Sequence, residues 1–223
     1  MWYTKFTFIE KKPGLAITLP GNYFTKPYTQ EEFVSLQHIN SIYPAGQNPA
    51  TYPIPQQLQL PSEYIELLQF SNGGNIINGE REFGYFSPET IRSFYISYGF
   101  HVWAPAFLPV ALNGGGKFYA YDLREANTTP IIVVSAGNIG YEADCWAMLG
   151  HTLDEVLSRT TNIEEELDQL YPAVQPSEQQ KRKAAIHKAL AQLKAEKENG
   201  SITLKVYLSQ KRELENEMKH LNL

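Results

Sequence analysis

The chain has 223 residues, is 43% hydrophobic and holds 14 Tyr and 11 Phe, which is enough apolar material for a real core and excludes disorder along its whole length. Its one cysteine, Cys145, excludes an internal disulfide framework and a cysteine-closed zinc site. The formal net charge of −5 divides unevenly: residues 1–175 carry 9 Lys/Arg against 18 Asp/Glu, a net of −9, and residues 176–223 carry 10 against 6, a net of +4.

In chain order, Trp2 to Ile9 is a β-prone run in which Trp2, Phe6 and Phe8 share one face at period two. Leu15 to Leu19 is its expected hairpin partner across Lys11-Lys12-Pro13-Gly14. Thr29-Gln30-Glu31-Glu32 has capping-box form and starts a short helix carrying Phe33, Leu36 and Ile39 at helical spacing. Tyr43 to Pro55 holds four prolines and reads as an extended connector. Residues 1–55 are therefore expected to be an N-terminal β-hairpin and helix extension followed by a connector.

Residues 56–172 carry the expected core. Ser62–Phe70 reads as a helix with Tyr64, Leu67 and Leu68 on one face, stopped by a left-handed cap at Asn72-Gly73-Gly74. Asn75–Ile77 and Glu82–Phe86 are strands around the turn Asn78-Gly79. Ser87 caps a second helix with Pro88 in its first turn and Ile91, Phe94, Tyr95 and Tyr98 as its buried stripe. Strands follow at Leu108–Leu112, Phe118–Leu123 and Ile131–Ser135, with a fourth expected at Tyr141–Ala147. Thr152-Leu153-Asp154-Glu155 is again a capping box, and the helix it opens should break near Thr160-Thr161, where two β-branched residues adjoin.

Residues 176–223 form a basic tail. Ile186, Leu190 and Leu193 make one narrow stripe, Asn199-Gly200-Ser201 stops the helix, and Leu204, Tyr207, Leu214, Met218 and Leu221 continue at near-heptad spacing. A helical hairpin is expected, with a strand over Ile202–Leu208 as the alternative. The whole is an α+β chain, a mostly antiparallel sheet packed with helices plus the C-terminal hairpin.

Chemistry is conspicuous by failed motifs. Gly116-Lys117 is followed by Phe118 where a phosphate loop needs Ser or Thr, and Asn113–Lys117 lies between strands, so no helix N-terminus faces it. The five histidines, His101 among them, show no i, i+4 pair and no carboxylate at ligand spacing. Glu164-Glu165-Glu166 with Asp168 reads as a solvated helix face. Glu142 and Asp144 alternate with Tyr141, Ala143 and Cys145, so on a strand both point the same way, beside Trp146. No catalytic residue, metal ligand or cofactor is expected. No run reaches the ~18 apolar residues of a membrane span, and Met1 to Lys12 lacks signal-peptide form, so a cytoplasmic location is expected.

Leu60-Pro61-Ser62-Glu63-Tyr64, with Leu67-Leu68 and Asn72-Gly73-Gly74, resembles the opening of the SUKH superfamily, small domains that include a yeast regulator of cell-wall glucan synthesis and bacterial immunity proteins against toxins. Phe83–Tyr98, Leu108–Ala111, Gly114–Asp122 and Trp146–Leu157 follow in the family's order, so the resemblance runs from about residue 56 to 160. Lys117 stands where the family commonly has an acidic or polar residue. The resemblance implies a non-catalytic protein-binding domain, an immunity protein neutralising a toxin or a related regulatory adaptor. With the acidic body, it implies a basic protein partner, a nuclease toxin being one example, and no nucleic acid on that body. The expected contact residues are Glu82, Tyr119, Tyr121, Glu142 and Asp144, taken as exposed groups near the sheet. The alternatives are a small-molecule enzyme using Glu142, Asp144 and His101, and an oligomerisation role led by the C-terminal helices.

Overall fold

The structure is a computed structural model that describes residues 1–34, 52–125, 127–170 and 177–220. It divides into two compact units, Met1–Tyr171 and Pro172–Leu223. Most of the expected connector and the positions of Leu36, Ile39 and Leu221 lie outside the described residues.

The first unit is built on a seven-stranded antiparallel sheet whose strands stand in chain order: β1 (Thr7–Lys11), β2 (Gly74–Asn78), β3 (Arg81–Tyr85), β4 (Phe107–Leu112), β5 (Lys117–Asp122), β6 (Ile131–Ser135) and β7 (Trp146–Gly150). Six helices accompany it: α1 (Gln30–Val34), α2 (Ser62–Phe70), α3 (Pro88–Ser97), α4 (Phe100–Trp103), α5 (Leu153–Ser158) and α6 (Ile163–Leu170). The α+β class and the antiparallel sheet are as the sequence led one to expect. β5 shows why the layers form. Its alternate residues turn opposite ways: Phe118 enters a ring cluster with Phe94, Tyr98 and Phe100 from α3 and α4, whereas Tyr121 reaches Glu63 on α2. A strand with helices over both faces has no outward side.

Local signals work where they are satisfied locally. The Thr29 amide donates to Glu32 Oε2 at 2.8 Å while Thr29 Oγ1 accepts from the Glu32 amide at 3.2 Å, the reciprocal capping box. Ser87 caps α3 by accepting from the Thr90 amide, and the break between α5 and α6 falls at Arg159–Asn162, around the two threonines.

Four features depart from the expectations or lie outside them. Trp2–Lys5 is a 3-10 turn, and β1 pairs with β2, not with Leu15–Leu19. The reason is the exposed end of α2: Pro13-Gly14 folds onto it, and the Leu15 amide donates to the orphan carbonyl of Leu68 at 2.8 Å. A side chain at position 14 would strike the Gln69 carbonyl. Second, α2 ends on extended Ser71, and the left-handed residue is Gly73, at φ 91°. Third, α4 follows Gly99, which takes φ 77°, and has too few residues to show a period. Fourth, the last strand is Trp146–Gly150, so Tyr141–Cys145 is a turn and not the expected strand.

The second unit contains α7 (Glu178–Glu198) and α8 (Leu204–His220), which contact one another. Helix occupies Leu204–Leu208, so the strand alternative fails. Ile186 and Leu193 are buried, Tyr207, Leu214 and Met218 half-buried, and the Lys197 ammonium lies 5.2 Å from the Tyr207 ring centroid. No described helix of either unit is long and apolar enough to cross a membrane.

Candidate functional site

Two of the five expected contact residues are not on the surface. Tyr119 and Tyr121 are both 0% exposed. Tyr119 donates to the Glu82 carbonyl at 2.9 Å, and Tyr121 donates to the Glu63 carboxylate at 2.8 Å. Burial drives both phenols far above the ordinary range, so they stay protonated. Expecting them to be exposed was wrong because period two gives the face of a strand but not whether that face is covered.

The other three lie at the surface around one end of the sheet. The turn Asn113–Lys117 between β4 and β5 is held by Asn113 Oδ1, which accepts from the amides of Gly115 and Lys117, both at 2.9 Å. Gly114 and Gly116 take φ 72° and 83°, conformations that glycine reaches without cost. Carboxylates crowd this turn. A side chain at Gly114 would come within 2.9 Å of Glu82 Oε2, and one at Gly115 would strike Glu164 Oε1. Glu82 accepts from Asn75 Nδ2 at 3.0 Å, and Glu164 accepts from Asn113 Nδ2 at 3.3 Å.

From Lys117 the rim continues into a cleft of about 200 Å³, where Asp144 and Asp168 face Lys117 and Ser135 and the walls include Val133, Trp146 and Leu167. Lys117 Nζ donates to Ser135 Oγ at 3.2 Å. Glu142 stands in the same exposed turn as Asp144, and both carboxylates approach Cys145 Sγ, at 3.6 and 3.8 Å. Among the described residues, Glu82, Glu142, Asp144, Glu164 and Asp168 make no ion pair within 4.0 Å.

Glu164 and Asp168, expected on a solvated helix face, stand against the glycine turn and in the cleft. The charge run was visible in the sequence; its place against the glycine turn was not, because it depends on how α6 crosses the sheet. Their neighbour Glu166 does something else, pairing with the buried guanidinium of Arg81.

The turn Tyr141–Cys145 is anchored by aromatic rings. The Arg124 guanidinium lies 5.0 Å from the Phe107 ring centroid, 5.3 Å from Tyr141 and 4.7 Å from Trp146, and forks onto Asp122, with Nη2 at 2.7 Å from Oδ2. The Tyr141 hydroxyl accepts from the Ala106 amide at 2.7 Å, and Trp146 Nε1 donates to the Tyr141 carbonyl at 3.2 Å. The exposed acids thus project from a fixed base.

Acid–base or nucleophilic chemistry finds little support here. His101 does not join Glu142 and Asp144: it is 2% exposed, ringed by Tyr28, Tyr52 and Tyr95, and shares no described contact with them. Burial lowers its pKa to about 4, against a backbone hydrogen bond with Tyr95 that raises it. The Cys145 thiol is pushed up, by burial first and then by Glu142 and Asp144, which disfavours the thiolate a nucleophile needs. Among the described residues no group of three His, Cys, Asp or Glu is placed to hold a metal ion.

None of the curated proteins compared with the chain matches it. Residues 56–159, from the end of the connector through α5, match the SMI1/KNR4 family (SUKH-1). β1 and α6 lie outside that match although both belong to the first unit. Over those 104 of its 223 residues the chain is therefore similar to the SMI1/KNR4 (SUKH-1) family, in agreement with the SUKH resemblance carried by Leu60–Gly74.

Proposed function

We propose that the domain is a non-catalytic protein-binding module whose partner is basic, and that it acts in the cytoplasm as an immunity protein neutralising a toxin, a nuclease being the apt chemistry, or as a related regulatory adaptor. The observation that carries this reading is the rim of Glu82, Glu142, Asp144, Glu164 and Asp168 around the Asn113–Lys117 turn, five carboxylates without an ion-pair partner among the described residues. Acids without an ion pair, of which Glu142, Asp144 and Asp168 are exposed and Glu82 and Glu164 half-buried, on a body of net charge −9 attract a cationic surface and speed its encounter. The family match supports protein binding in general and leaves the partner to the chemistry of the surface. Co-expression with the product of an adjacent toxin-like gene tests it. Rescue of growth and copurification are expected, with association slowing as salt rises; a partner that binds equally well at 0.5 M salt, or no rescue by any neighbour, refutes the basic-toxin reading.

A second reading concerns the tail. Leu204, Val206 and Leu208 on α8 are 59%, 41% and 54% exposed, more apolar surface than a lone helical hairpin needs. Association between copies through α7 and α8 would cover them. Deleting 177–223 and measuring solution mass decides it, since an unchanged monomer removes this reading.

A further inference from the structure

The sheet of the first unit has two edges, and they are protected differently. β1 carries Glu10 and Lys11 and breaks its register between Phe8 and Glu10, with Lys12 following directly. Charges and a bulge are the ordinary means by which an edge strand resists further pairing. β7, Trp146-Ala147-Met148-Leu149-Gly150, holds no charged residue. Its register with β6 also shifts, between Ile131 and Ile132, but the residues it presents are apolar, and Met148 is 53% exposed. Among the described residues β6 is its one strand neighbour, so alternate peptide groups on its outer side face away from the sheet.

Charge says what belongs there. The chain enters β7 through the exposed acids Glu142 and Asp144, with Asp168 in the cleft beside Trp146. A second copy would set one body of net charge −9 against another. An extended segment carrying lysine or arginine satisfies both features, main chain on the open edge and cations on the acids.

We propose that the outer edge of β7 accepts an extended lysine- or arginine-bearing segment of the partner as an eighth strand. The proposal deepens the reading above and rests on it for the partner's charge alone. Main-chain pairing would give affinity, the apolar side chains of the incoming strand would cover Met148, and Glu142 and Asp144 would select the basic residue at its end.

The test uses the full chain and a blocked octapeptide alternating lysine with threonine and valine. Two further versions carry N-methyl groups on one or the other alternate set of amides, which removes donors on one side of the strand without changing charge. Binding of the parent peptide should slow amide exchange in Ala147–Leu149. One methylated version should lose at least tenfold in affinity while the other stays within about threefold. Met148→Lys, at an exposed position that leaves the core intact, should weaken the parent peptide at least tenfold, with Met148→Gln within twofold.

Equal binding of both methylated peptides would overturn strand addition and leave only a charge contact at the rim, with the basic-partner reading intact. Absence of binding at millimolar peptide, or dimerisation through β7 without peptide, overturns it as well. Strand addition that is insensitive to salt and to Glu142→Lys with Asp144→Lys would keep the edge and discard the basic partner.

Discussion

The hydroxyl of Tyr64 accepts a hydrogen bond from the Phe86 amide at 3.0 Å and turns its own proton toward the carbonyls of Val110, at 2.7 Å, and Phe86, at 2.9 Å. This phenol stands where β3 and β4 part: their ladder has two register pairs, Gly84 with Leu112 and Tyr85 with Ala111. Tyr64 is 0% exposed, and burial raises its pKa far above the ordinary value, so it remains a donor. The tyrosine of the Leu-Pro-x-x-Tyr helix is thus a cross-link from α2 to the sheet, which neither helix propensity nor core volume would require.

Tyr64→Phe keeps the ring and removes that link, while the Phe86 amide retains the Val110 carbonyl as acceptor at 2.9 Å. A loss of about 0.5–1.5 kcal/mol is expected. Urea unfolding should show a lower midpoint with an unchanged slope; a midpoint equal to that of the parent chain would deny the hydroxyl this role.

Arg92 is a larger staple. It is 4% exposed, and its guanidinium spans the Glu32 carboxylate, with Nε at 2.5 Å from Oε1, and the carbonyls of Phe24, Lys26 and Pro27. Burial pushes the Glu32 carboxyl up, but hydrogen bonds from Arg92 and the Thr29 amide outweigh it and the net shift is downward. Arg92→Ala strands a partly buried carboxylate and three carbonyls and should cost about 3–5 kcal/mol. Limited proteolysis should then cut within residues 20–34 first. Cleavage elsewhere at the parent rate would place the staple's effect outside this segment.

His101 sets an acid limit. It is neutral in its aromatic shell, with a pKa of about 4 against an ordinary value near 6.5. The unfolded chain binds a proton at higher pH than the folded one, so stability is full above about pH 6.5 and is lost as pH falls toward 4. The loss from this residue is at most about 3 kcal/mol. His101→Phe should flatten the profile between pH 6.5 and 4; a slope that persists would assign it to other groups.

Glu142→Lys with Asp144→Lys reverses charge in an exposed turn that Arg124, Tyr141 and Trp146 hold from beneath. Stability should change by less than about 0.5 kcal/mol. Association with a basic partner should slow roughly tenfold at low salt, with the difference shrinking as salt rises. Stopped-flow mixing measures it, and identical rates for both chains would remove these acids from the interface.

Features decided over a few residues were legible before any fold was known. The capping box at Thr29, the Thr152 N-cap (whose Glu155 carboxylate accepts from the His151 amide instead), the Ser87-Pro88 start and the break at Thr160-Thr161 are backbone hydrogen-bonding choices made within one turn of helix. The strands of the core, rich in branched and aromatic residues, were equally readable from Asn75 to Ser135. The edge elements were not. Leu15–Leu19 looked like a strand and became a cap for α2, because an unsatisfied helix terminus competes for the same backbone.

The acidic body shows the same division. Composition and order established by themselves that this chain is an α+β protein with an acid-rich first part, a basic helical tail and the Leu60–Gly74 signature. Period two put Glu142 and Asp144 on one face, with Tyr119 and Tyr121 expected beside them as exposed groups near the sheet. Only the tertiary structure decided that the tyrosines are inside and the acids outside. A strand's repeat records which side chains share a face, but whether that face meets water depends on the helices laid across it, here α2 and α3–α4, which sequence-distant contacts such as Glu63 with Tyr121 hold in place.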